Sequence, residues 1–72
     1  MSKKAYNHNQ TTASSVWNIN HNLDSSFINI GVIIDYNGKQ TVSPFNVTIQ
    51  DNNNVVITFT TPKTGHCRII QV

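Results

Sequence analysis

A single cysteine, Cys67, stands in the 72 residues, so the chain cannot form an internal disulfide. A chain this short makes at most one domain with a thin core. Below about 80 residues a single hydrophobic core rarely supplies more than about 3 to 5 kcal/mol. Without a disulfide, reinforcement has to come from a metal or from partner subunits, and no convincing ligand spacing is present, so self-association is expected. Charge is scarce as well: Lys3, Lys4, Lys39, Lys63 and Arg68 stand against Asp24, Asp35 and Asp51, a net charge of +2. The five cations are spread from end to end rather than gathered on one face with aromatics between them, which argues against a nucleic-acid partner. The most apolar window, FINIGVIID, is far shorter than the roughly 20 residues of a membrane-spanning helix. The opening MSKKAYNHNQ has two lysines but no apolar run behind them, so neither a signal nor a transit peptide is expected. With the lone cysteine, this points to synthesis in a reducing cytoplasm.

Polarity comes instead from uncharged side chains, above all eleven asparagines. Strand signals dominate from Val16 onward: β-branched and aromatic residues in short runs, separated by Asn, Asp, Gly and Pro, with no helical period. In VWNINHNL, Trp17, Ile19, His21 and Leu23 share one face and asparagines the other. SSFINIGVIIDY places Ile28, Ile30, Val32, Ile34 and Tyr36 on one face, while Phe27 and Ile33 leave the second face apolar too, as in a central strand needing cover on both sides. Asn37-Gly38 predicts a type I′ hairpin. Pro44 marks an edge, a bulge or a break between two short strands. Asp51 to Asn54 reads as a turn, VVITFTT as a strand with Val55, Ile57 and Phe59 inward, Pro62 to Gly65 as a further turn, and HCRIIQV as a last strand whose inward face is left unassigned. The expected fold is all-β: a small antiparallel β-sandwich or flattened barrel of five to six strands over residues 14–72, preceded by residues 1–13 as an N-terminal arm or first strand. Tyr6, His8 and Gln10 alternate with asparagine in that segment, which has little apolar surface of its own. It is therefore either a docking arm that gains a partner from outside or the first strand of the domain's own sheet.

The residues that could carry chemistry are few. His8, His21, His66 and Cys67 are the candidate metal ligands, but their spacing matches no zinc motif, and His66 and Cys67, adjacent in a strand, point to opposite faces. The same geometry defeats a Cys–His nucleophile pair. Asp24, Asp35 and Asp51 each fall at a strand end or turn, where aspartate commonly caps local backbone groups. No active site, metal or cofactor is expected. Trp17 has two readings, a core plug or an exposed platform for a sugar. Ile19 and Leu23 on the same face favour the plug. His21 reads as a neutral imidazole tied to the loop that follows it.

The succession Y-x-H-x-Q, a Thr/Ser-rich spacer, W-x-I-x-H-N-L, a strand ending in D-x-x-G, a proline, D-x-N-x-V-x-I-T-F and a final T-G runs from Tyr6 to Gly65. It resembles a family of small virion modules of tailed phages, which occur alone and as domains of head-decoration, neck and tail-fibre proteins. Modules of this kind often carry Gly after H-N-L, where this chain has Asp24. The resemblance implies a β fold and a non-enzymatic structural role as a multi-copy decoration, cement or fibre-associated subunit in the virion. It also implies capsid, neck or tail proteins as partners, and a homo-oligomer, the trimer being the family's usual setting. The other reading is a receptor- or carbohydrate-binding tip contacting a host-surface glycan through Trp17, Tyr6 or Tyr36. Docking or oligomer contacts are expected at Tyr6, His8, Gln10, Phe27 and Ile33, and structural core at Trp17, Ile19, His21, Leu23 and Phe59.

Because the candidate ligands face different ways, EDTA is expected to leave the melting transition unchanged; loss of folding that zinc restores would overturn the metal-free reading.

Overall fold

The computed structural model describes residues 4–72, so the first three residues of the expected arm lie outside the described residues. The chain is all-β, with five antiparallel strands in one sheet: β1 (Ala5–Asn20), β2 (Ile28–Tyr36), β3 (Lys39–Thr41), β4 (Asn46–Ile49) and β5 (Asn54–Gln71). The long β5 is the spine. β1 pairs along one side of it for almost its whole length, while the other side is shared end to end, β4 taking Val55–Thr58 and β2 taking Gly65–Gln71. β3 extends the sheet beyond β2.

Two long strands become a closed core because they fold over. Nine extended residues would hold His8 and Trp17 about 30 Å apart, yet their ring centroids are 5.8 Å apart. The bend coincides with a break in pairing. β1 and β5 are in regular register from Ala5 opposite Ile70 to Gln10 opposite Gly65, and again from Val16 opposite Thr58 to Asn20 opposite Asn54, with shifts on either side of Ser14. Across the break β5 uses one more residue than β1. A slip of one residue turns every side chain of a strand over, so the inward row of β1 changes from Tyr6, His8 and Gln10 to Trp17 and Ile19, while β5 keeps one inward row: Val55, Ile57, Phe59, Gly65, Cys67 and Ile69. The two layers expected of a sandwich are thus two halves of a single sheet. Their inner faces, with Val32 and Ile34 of β2, form the buried cluster, and Tyr6, Ile28, Ile30 and Phe45 pack against it.

The residues at the bend account for its form. Pro62, which cannot donate to a ladder, lies in the unpaired stretch of β5. The turn expected at Pro62–Gly65 is not one: the chain bends there without reversing, and the two strands read on either side are the single strand β5. Gly65 is buried, with φ +156°, and a Cβ on it would lie 2.2 Å from the carbonyl oxygen of Ile33. Its missing side chain lets β2 approach β5. At the other turn, Asn37 and Gly38 take φ values of 52° and 75° between the paired Tyr36 and Lys39, the type I′ hairpin the sequence predicts. Pro44 separates β3 from β4 as expected. After β1 the chain docks on the β4–β5 turn: Asn53 O accepts from the His21 amide at 2.8 Å and Asn52 O from the Ser25 amide at 2.8 Å. Asp24 has φ 52°, the left-handed conformation a glycine adopts freely, and its amide donates to Asn53 Oδ1 at 2.8 Å.

Two glycine substitutions separate this packing from mere sequence preference. Gly65→Ala is expected to lose about 3 kcal/mol or more, close to the whole margin of a domain this size. Gly31→Ala, where an added Cβ meets nothing within 4 Å, should be neutral or gain about 0.4 to 1 kcal/mol. Trp17→Ala, which empties the centre of the bend, should cost about 3 to 5 kcal/mol and leave little folded protein. Thermal melts of the three variants test the set; a folded Gly65→Ala protein with an unchanged transition would refute the close approach.

Candidate functional site

The residues picked out in the sequence sort by face. Trp17 is fully buried, and Ile19, Leu23, Phe59 and His21 are buried as well. The Trp17 and Phe59 ring centroids are 4.8 Å apart, a separation suited to tilted aromatic packing. The indole N–H donates to the carbonyls of Ser14 (3.0 Å) and Lys63 (3.3 Å), one on each strand of the break. Trp17 therefore cannot serve as a platform for sugar, and that part of the carbohydrate reading is corrected. Tyr6, His8 and Gln10 form the inward row of the β1 segment that pairs with Gly65–Ile70. They are half-buried, and the His8 Nε2–H donates to Gln10 Oε1 at 2.8 Å. The division expected at residue 13 falls inside β1.

His21 is buried beyond the end of β1, and its Nδ1 accepts the Leu23 amide at 3.0 Å. That bond places the ring proton on Nε2, which is buried without a partner among the described residues. Burial lowers the His21 pKa below its ordinary value, against a smaller upward pull from the Asp51 carboxylate. Asp51 is held below the usual carboxylate range, first by the Asn53 amide and then by the Asn54 side chain, which cap it within the turn. Asp35 accepts a bond from the Thr64 hydroxyl at 3.4 Å. Asp51 thus caps its turn, while Asp35 bonds across to β5. Cys67 is buried, and burial pushes its thiol up to about 11, so it is a poor nucleophile at neutral pH. Its neighbour His66 lies on the opposite, outer face. Among the described residues no three His, Cys, Asp or Glu side chains gather where they could hold a metal.

What the molecule offers a partner is surface. A groove of about 790 Å³ runs over the outer face of β1, β5 and β2, lined by Asn7, Asn9, Gly31, Ile33, His66 and Arg68, with Val42 and Phe45 of the β3–β4 crossing among its further lining residues. Its cross-strand rows are Asn7–Arg68–Gly31 and Asn9–His66–Ile33. Of the two expected contact residues of the second face, Ile33 is half-buried in the groove, and Phe27, just ahead of β2, is 78% exposed. Val42 is 73% exposed. The sequence reading missed His66 and Arg68 as surface residues because it left the last strand's inward face unassigned. The signal was there in Gly65, Cys67 and Ile69, which continue the alternation of Val55, Ile57 and Phe59 without a change of phase.

No protein-family model matches the chain, and no curated protein and no solved structure is significantly similar to it.

The His21 environment gives a pH dependence with a definite sign. The unfolded chain takes a proton on this histidine near the ordinary value of about 6.5, whereas the folded chain does so only at lower pH. The contribution is therefore complete above that value and is lost as pH falls below it. Melting temperatures measured between about pH 7.5 and about pH 5.5 should fall for the wild type more than for His21→Asn, whose side-chain oxygen can still accept from Leu23. Parallel declines in the two proteins would show that His21 does not carry the effect.

Proposed function

We propose that this protein is a non-enzymatic structural subunit of a tailed-phage virion, present in multiple copies as a decoration, cement or fibre-associated protein. In this reading it is made in the bacterial cytoplasm and docks on a capsid, neck or tail protein. The observation that carries the reading is exposed apolar surface: Val42 stands exposed in the lining of a groove walled by Ile33 and Phe45, and Phe27, just ahead of β2, is exposed as well. Exposed apolar surface rimmed by amides suits a docking face, and weak contacts of this kind become effective when many copies bind a symmetric lattice. The resemblance of Tyr6–Gly65 to small virion modules supplies the setting. A glycan-binding tip is the second reading, favoured by Tyr36, which is 60% exposed at the β2–β3 hairpin.

Labelled imaging of intact particles, with the protein quantified against the major capsid protein, tests the main reading. Phe27→Asp and Val42→Asp are expected to lower incorporation at least tenfold while leaving the melting temperature within a few degrees of wild type, since both side chains are solvent-facing. A protein absent from purified particles would end the proposal. Loss of host attachment with incorporation intact would favour the glycan reading.

A further inference from the structure

The sheet has two sides that end in open edges, and they are treated very differently. On the side of β2 and β4 the outermost strands are short, Lys39–Thr41 and Asn46–Ile49, with Lys39 and Pro44 in or between them and Asp51 just beyond. Short strands, lysine and proline are the usual means by which proteins prevent edge-to-edge pairing. On the other side lies β1, 16 residues long, which among the described residues pairs with β5 alone. From Ala5 to Asn20 it has no charged residue and no proline. Lys4 stands just before it, and within it the pairing is interrupted only around Ser14, so the regular stretch Ala5–Gln10 carries neither a charge nor a bulge of its own.

A second observation concerns the same stretch. Opposite Tyr6, His8 and Gln10, the β5 residues Ile69, Cys67 and Gly65 are buried, and so are Trp17 and Ile19 further along β1. Tyr6, His8 and Gln10 are only half-buried. The inner face of the sheet is therefore incompletely covered where the edge is unguarded.

We propose that this edge binds a second copy of the chain, β1 against β1, antiparallel about a two-fold axis. Neutrality selects the partner. A strand without charge meets no like-charge repulsion from its own copy and offers nothing to attract a charged one. Cross-strand neighbours share a face, so the half-buried row of one copy must lie opposite that of the other. Centring the axis on His8 achieves this within the regular stretch: Tyr6 faces Gln10 of the second copy, Asn7 faces Asn9, and His8 faces His8. The main-chain groups at the edge gain partners, the inner row gains cover, and an isologous contact closes as a dimer rather than a filament. It differs from the trimer implied by the resemblance and does not rest on the virion reading.

The test uses the full chain. Sedimentation should give a concentration-dependent dimer, and amide hydrogen exchange compared at low and high concentration should show added protection at Tyr6–Gln10. The double variant Asn7→Glu/Asn9→Glu sets introduced carboxylates of the two copies against each other, while within its own sheet it places them beside Arg68 and His66. It should weaken dimerisation at least thirtyfold with the melting temperature of the dilute protein little changed. A wild-type monomer at millimolar concentration, a trimer, added protection elsewhere such as around Phe27, or a dimer unaffected in the double variant would each overturn the proposal. Should the variant fail to fold, the wild-type exchange pattern alone decides.

Discussion

One indole N–H holds the fold at its sharpest point. Trp17 donates to the Ser14 carbonyl on β1 and the Lys63 carbonyl on β5, the two strands that lose register there. A bend in a two-stranded ladder leaves main-chain groups unpaired, and an unpaired polar group out of water costs about 1 to 3 kcal/mol. Sharing one buried donor between both strands reduces that cost where it is greatest. The ring attached to the donor fills the inside of the bend against Phe59. The same residue therefore pins the bend and occupies the space the bend creates, and a chain of 72 residues obtains from one sheet the two facing layers of a core.

Much of this is written in the sequence as phase. The row Tyr6, His8, Gln10 and the row Trp17, Ile19 fall on opposite parities, and the slip between them is what brings both rows inward. The hairpin at Asn37–Gly38 is equally legible, because a type I′ turn needs two residues that tolerate positive φ. What sequence could not separate is a bend from a reversal. Proline and glycine mark both, and at Pro62–Gly65 the deciding fact is tertiary: β5 stays paired with β1 on both sides of the bend, and beyond it β2 lies so close to Gly65 that no Cβ fits. Pairing β1 with β5, the two strands most distant in the chain, was not legible either, since local alternation says nothing about partner choice. The candidate site followed the same division. The core role of Trp17 could be read from its face, whereas the groove required knowing which strands lie side by side.

The asparagines have more than one use. Asn22 and Asn37 take positive φ, where asparagine is among the residues that pay least strain, and Asn53 holds the β1–β2 connection through both its main-chain and side-chain oxygens. Asp24, too, has a left-handed backbone, a conformation that glycine adopts freely. Its amide bond to Asn53 offsets part of the strain of that conformation.

The distribution of charge bears on what such a surface can recognise. The buried titratable groups, His21 and Cys67, are held in their neutral forms by desolvation, so neither offers a proton donor or nucleophile to a substrate at neutral pH. Among the described residues Arg68 is the one cation in the groove's lining, set between Asn7 and Gly31, and the rest of the lining is amide, imidazole, thiol and hydrocarbon. Such a face gains little from long-range steering and much from contact: exposed apolar side chains, amides that donate and accept, and an unguarded run of main chain at the adjoining edge. Groove and edge share Asn7 and Asn9, so a strand added along β1 would extend the groove's own floor. Occupying one would alter the other, which couples the pairing of copies to the binding of any partner in the groove through two exposed asparagines.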